Sequence, residues 1–246
     1  MNTINSKVIM FTRKEDVLAS KYEDNYDNVI SKNIQLLPNN KIEEFLKIHE
    51  VLGSQKISNN SILIAHPYKA NCFVSIQNSN ELLQREKLLN TANIAKILGA
   101  KSFEVKSIRI KETEKNYKID ANGKYKCIST TLKTEKNVDE KTHKNFSLKN
   151  YYIGSEPDYQ KAKEKLYSYG LNIDPEISAL VESRNPIDSN LLSQQEILLN
   201  TSSELNESLD IASNLMLLSN MVEIGVSFKS KIHIRESVEL SIKITF

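Results

Sequence analysis

Residues 222–246 read VEIGVSFKSKIHIRESVELSIKITF, and their alternation governs the expected fold. From 222 to 234 every even position except Ser230 is apolar: Val222, Ile224, Val226, Phe228, Ile232 and Ile234. The odd positions, Glu223, Gly225, Ser227, Lys229, Lys231 and His233, are small or polar. After Arg235, Glu236 and Ser237 the pattern resumes as Val238, Leu240, Ile242, Ile244 and Phe246, set against Glu239, Ser241, Lys243 and Thr245. Side chains alternate across a pleated strand, so the two runs predict a long amphipathic β-hairpin with one oily and one wet face. Residues 190–220 have the helical spacing to cover the oily face.

The same order, a helix followed by two strands, recurs upstream. Residues 78–98 predict a helix: Asn78 or Ser79 can cap it, Glu81 lies in its first turn, and Leu82, Leu89, Ala92 with Leu88, Ala95 follow at helical spacings before Gly99. Residues 103–110 predict a strand whose apolar parity switches from Phe103 and Val105 to Ile108 and Ile110, which a bulge near Ser107 explains. Residues 116–132 predict a hairpin turning at Asn122-Gly123. Further toward the N-terminus, 41–52 predicts a helix closed by Gly53, and 61–65 and 72–76 predict strands joined across His66-Pro67-Tyr68.

Weaker patterns fill the remainder. Residues 7–11 and 33–37 predict strands, 14–30 a short helix and loop, 134–144 a charged loop and 146–153 a strand. Residues 155–169 predict a helix, and Asp174-Pro175-Glu176 opens another with a capping side chain and proline at its first position. Consecutive strands with short links pair antiparallel, so the expected class is α+β, built from repeated helix–hairpin units with helices on one face. The length of 246 residues suits one domain, with a possible subdivision at 77/78.

Composition narrows the function classes. The chain is 39% hydrophobic and 26% charged, which excludes general disorder, and 33 Lys+Arg nearly balance 31 Asp+Glu. A net charge of +2 gives no overall field for nucleic acid or anionic membrane, and the basic stripe Lys101, Lys106, Arg109, Lys111, Lys115 lacks interleaved aromatics apart from Tyr117 and Tyr125. No apolar run approaches the roughly 18 residues of a spanning helix, and the first residues carry no secretory or lipidation pattern, which predicts a cytoplasmic protein.

Chemical signatures are sparse. The six glycines fall at expected helix ends, turns and one strand position, leaving none for a phosphate loop. The four histidines, His49, His66, His143 and His233, lack zinc spacing, and Cys72 and Cys127 form no metal knuckle or redox pair. His66 faces Cys72 across the same turn, where a Cys–His pair could activate a thiolate; a turn histidine beside a buried cysteine is the commoner arrangement. No catalytic residue, metal ligand or cofactor is therefore expected.

The resulting expectation is a non-enzymatic protein acting by protein recognition or self-assembly. Its partner would be another protein or a second copy, met through the edge and wet face of the terminal hairpin, with Lys229, Lys231, His233 and Lys243 as the contact residues. One alternative is a pore-forming effector, the only reading that implies a membrane partner, because amphipathic ribbons also build transmembrane barrels. Another is an enzyme or nucleic-acid-binding protein whose site assembles from scattered residues.

Overall fold

The computed structural model describes residues 6–23, 26–30, 33–53, 56–119, 125–188, 191–218 and 225–246. Its strands are β1 (Val8–Thr12), β2 (Ile34–Pro38), β3 (Glu50–Leu52), β4 (Ile62–Ala65), β5 (Cys72–Ser75), β6 (Ser102–Ile119), β7 (Tyr125–Lys136), β8 (Lys149–Tyr151), β9 (Gln194–Asn200) and β10 (Ile234–Thr245). Its α-helices are α1 (Lys14–Ser20), α2 (Tyr26–Val29), α3 (Ile42–Leu46), α4 (Ser79–Ile97), α5 (Glu140–Phe146), α6 (Tyr159–Ser168), α7 (Pro175–Glu182), α8 (Ser203–Ala212) and α9 (Val226–His233). The class is α+β.

All five residues of β1 are buried, and a strand covered on both faces reads as an unbroken apolar run. It lies inside a mixed sheet ordered β2-β1-β4-β5-β3, with β1/β2 and β3/β5 parallel and the other pairs antiparallel. On one face Ile9, Phe11, Leu63 and Phe73 pack with Phe45 of α3. On the other, Val8, Met10, Ile62, Ile64 and Val74 meet Leu83 of α4, Leu205 and Leu209 of α8, and Phe228 and Ile232 of α9. Helices therefore cover both faces here, not one.

The second sheet runs β7-β6-β10-β9, with β8 also on β6. Val238, Leu240, Ile242 and Ile244 of β10 are buried against α4, α6 and α7 through Leu88, Ala95, Leu166, Ile177 and Leu180. The even register expected for this half is the one observed, and each such side chain contributes about 1.5–3 kcal/mol by burial. The β10/β6 register slips at Ser241/Ile242, where Lys106 is the extra residue, next to the expected bulge at Ser107.

The helix–hairpin order holds for α4 with β6 and β7 but not at the C-terminal end. Of the expected terminal strand pair, residues 219–224 lie outside the described residues and Val226–His233 is helix α9. Phe228 and Ile232 are buried as expected, but as i and i+4 on one helical face, a spacing that period 2 and period 3.6 share. Nor do Arg235, Glu236 and Ser237 form a turn: the strand passes through them, pairing with Thr113, Glu112 and Lys111. Arg235 is buried, its Nε donating to the Ile232 carbonyl (3.0 Å) and its Nη2 to Asp210 (3.1 Å) and the Tyr117 hydroxyl (2.9 Å). With β6 on one side and β9 on the other, β10 is a central strand, not an edge.

Other differences follow the same cause. The expected helix over 190–220 begins instead with strand β9, whose Ile197 and Leu199 are buried beside β10. Helix α3 stops at Leu46, and residues 50–52 join the first sheet as β3. The 134–144 loop contains the end of β7 and the start of α5, and the strand over 146–153 is reduced to β8. Strands β6 and β7 do pair as a hairpin, while the Asn122-Gly123 turn lies outside the described residues.

Candidate functional site

Helix α4 turns a mostly apolar face inward, with Leu83, Leu88, Ala92, Ile94 and Ala95 buried, while Leu89 from the expected stripe is exposed. In the middle of the buried face stands Lys87, fully enclosed. Its ammonium lies 2.7 Å from Asp174 Oδ2 and 2.8 Å from Glu204 Oε1, and donates to the Asn200 carbonyl (2.8 Å) and Ser203 Oγ (3.0 Å). A buried charge is tolerable only when paired and fully hydrogen-bonded, and this one is.

Local sequence places each partner. Asp174 caps α7, accepting from the Glu176 and Ile177 amides, and Glu204 sits in the first turn of α8. Both carboxylates thus stand at helix N-termini, where negative charge is favoured. Glu204 Oε2 accepts from Ser203 (2.8 Å) and from the Tyr68 hydroxyl (3.2 Å), which burial and then the Glu204 charge keep protonated by raising its pKa. Tyr68 arrives on the β4–β5 turn, which packs so closely on Gly170 (φ +63°) that a Cβ there would meet the Pro67 carbonyl at 2.8 Å. Serine and lysine at 3.0 Å resemble a nucleophile and its base, but a base needs a free lone pair. Lys87 is the donor to Ser203 as well as to two carboxylates and a carbonyl, so it joins α4, α7, α8 and β9 rather than activating Ser203.

Outside this cluster opens a pocket of about 280 Å³ lined by Ile173, Pro175, Glu176, Leu198, Asn200 and Glu207 together with Asp174, Ser203 and Glu204 of the cluster. It adjoins the outer edge of β9. Thr201 N donates to the Val238 carbonyl and Phe246 N to the Ser193 carbonyl, so odd residues of β9 exchange hydrogen bonds with β10. Ladder alternation then points the backbone N–H and C=O of Gln194, Glu196, Leu198 and Asn200 outward. Lys87 takes the Asn200 carbonyl; among the described residues no strand pairs with the rest.

The β4–β5 turn holds the expected His66 and Cys72 together with His49, around a pocket of about 190 Å³. His66 Nδ1 accepts from the Tyr68 amide (3.1 Å), so its Nε2 carries the hydrogen toward Glu86 Oε2 (3.0 Å), and neither nitrogen is left to serve Cys72. Burial lowers the His66 pKa against the pull of Glu86, while burial, aided by Glu50, raises the Cys72 thiol to about 11. His49 lies between the Phe45 and Phe73 rings, and burial lowers its pKa too, against the opposing pull of the Asn71 backbone. Among the described residues no group of three or more His, Cys, Asp or Glu is placed to hold a metal ion.

The four expected contact residues are not brought together. Lys229 is exposed on α9, whereas Lys231 is partly buried and donates to the Ile76 (2.6 Å) and Gln77 (2.8 Å) carbonyls, its pKa lowered by burial. His233 Nδ1 meets the Lys115 carbonyl at 3.2 Å and its ring stands edge-on to Tyr117. Lys243 lies nine residues along β10 from Ile234, roughly 30 Å away, between Glu104 and Glu196.

The one sign of Lys87 in the sequence is a lysine four residues after Leu83 and four before Thr91, which interrupts an inward stripe. Asp174 was legible as a cap; its lysine partner was not. No protein-family model matches the chain, and no curated protein or solved structure matches it either, so the residues themselves carry the functional reading.

Proposed function

We propose that this protein works by association, taking up an extended segment of a partner polypeptide along the outer edge of β9. The observation that carries the reading is the row of outward backbone groups at Gln194, Glu196 and Leu198, which offers main-chain hydrogen bonds to an added strand. The other edge is guarded: β7 is interrupted by two register slips and carries Lys126, Lys133 and Lys136, devices that discourage strand addition. Strand β9 pairs with β10 without a slip, has no lysine, and leaves Leu198 55% exposed.

A different chain fits this edge better than a second copy. Antiparallel self-pairing that uses all of 194, 196 and 198 sets Glu196 against its own copy, and like charges directly opposite destabilise a sheet. The membrane-inserting alternative loses its motive, because most of the first strand of its ribbon is helix α9.

The test uses a proline that removes an outward donor only. Glu196→Pro deletes an N–H not used by the β10 ladder, a place where an edge strand tolerates proline. Fluorescein-labelled heptapeptides of alternating Val and Thr are expected to bind the wild-type protein and protect the Glu196 and Leu198 amides from hydrogen exchange. Glu196→Pro should remain folded by circular dichroism and lose that binding. Binding that survives the proline, or no protection of these amides, would refute the edge reading.

A further inference from the structure

Resting on that reading, we infer that the pocket at the end of the β9 edge receives a basic side chain from the incoming segment. Its mouth is flanked by two exposed apolar side chains, Ile173 (68% exposed) and Leu198, which suit the aliphatic stem of lysine or arginine. Its charged lining is acidic, Asp174, Glu176, Glu204 and Glu207, beside the neutral Asn200 and Ser203. Against these four carboxylates stand two ammoniums, Lys87 between Asp174 and Glu204, and Lys7 at 2.6 Å from Glu207. Glu176 has no ion pair among the described residues.

The rival guest is an anion, since the N-termini of α7 and α8 both approach this pocket. Those positive ends are already occupied by the chain's own groups, Asp174 capping α7 and Glu204 in the first turn of α8. An added anion would meet Glu176 and Glu207 at the rim. A cation meets them favourably, and Lys7, itself half exposed, can yield Glu207 to it. The backbone of β9 therefore supplies the hydrogen bonds of docking, and the pocket supplies preference for charge.

The experiment walks one lysine through each position of the Val/Thr heptapeptide, with norleucine at the same position as the uncharged control, and reads affinity by fluorescence polarisation. At one or two positions lysine should bind about fivefold tighter than norleucine, an advantage shrinking at high salt because the rim is exposed. A variant carrying Glu176→Gln and Glu207→Gln should lose that advantage while binding norleucine peptides as before. Equal affinity for lysine and norleucine at every position, with both lost in Glu196→Pro, would overturn the pocket inference and leave the edge reading standing. Failure of every peptide to bind at millimolar concentration would overturn both.

Discussion

Helix α9 and strand β10 carry one alternation and fold it two ways. Both halves set Ile, Val or Phe at even positions against small or charged residues, yet 226–233 coils and 234–245 extends. In α9 Phe228 and Ile232, four residues apart, are the side chains among the described residues that reach the core, and the sheet they cover lies in the other half of the molecule. In β10 four successive even positions, 238 to 244, are buried between β6 and β9, and only an extended chain can bury every second residue over that length. The lesson is that a period-2 run must be buried throughout before it specifies a strand; a run with two anchors suits either form.

The comparison is sharpened most by truncating an anchor on each side. Phe228→Ala is expected to cost about 3–5 kcal/mol and Ile242→Ala about 2–5, read from urea midpoints, because both leave cavities in closed cores. A negligible loss at Phe228 would mean that α9 does not dock as described.

Acidification probes the sheet that α9 covers. His66 is held neutral below its ordinary pKa by burial, with Glu86, Lys69 and Glu50 the charged groups acting on it. The unfolded chain therefore binds the extra proton first, so this contribution to stability is complete above about pH 6.5 and is lost as pH falls toward the lowered folded value. His66→Gln should flatten the decline of Tm between about pH 7.5 and 5. An unchanged slope would assign it to other groups such as His49.

Smaller effects discriminate by sign. Ser230→Ala, at an exposed position of α9, should stabilise by about 0.4 kcal/mol through helix propensity, whereas Ser241→Ala on β10 should cost a few tenths. The same sign at both would break the distinction between helix and strand. Smallest of all, Lys229→Glu should stay within about 0.5 kcal/mol of wild type, whereas Lys243→Glu should cost up to about 1 kcal/mol, because it sets a third carboxylate between Glu104 and Glu196. Lys231→Glu should cost more than either, because it would set a carboxylate against the Ile76 and Gln77 carbonyls.

Some of the architecture was written in local pattern. The unbroken Val8–Phe11 run, α4 ending at Gly99, the Asp174-Pro175-Glu176 cap, the bulge beside Ser107 and the even face of β10 all depend on neighbours within a few residues, so the sequence alone determined them along with the α+β class. Tertiary structure decided the rest. Residues 194–200 and 226–233 are too short for their own periodicity to choose between helix and strand; burial against β10 in one case and against the first sheet in the other makes the choice. The candidate site was hidden for a related reason: Lys87 finds Asp174 and Glu204 only after three helices converge, and no spacing along the chain records a contact across 117 residues. Free edges are likewise invisible in sequence, because whether a strand is an edge depends on which other strands lie beside it.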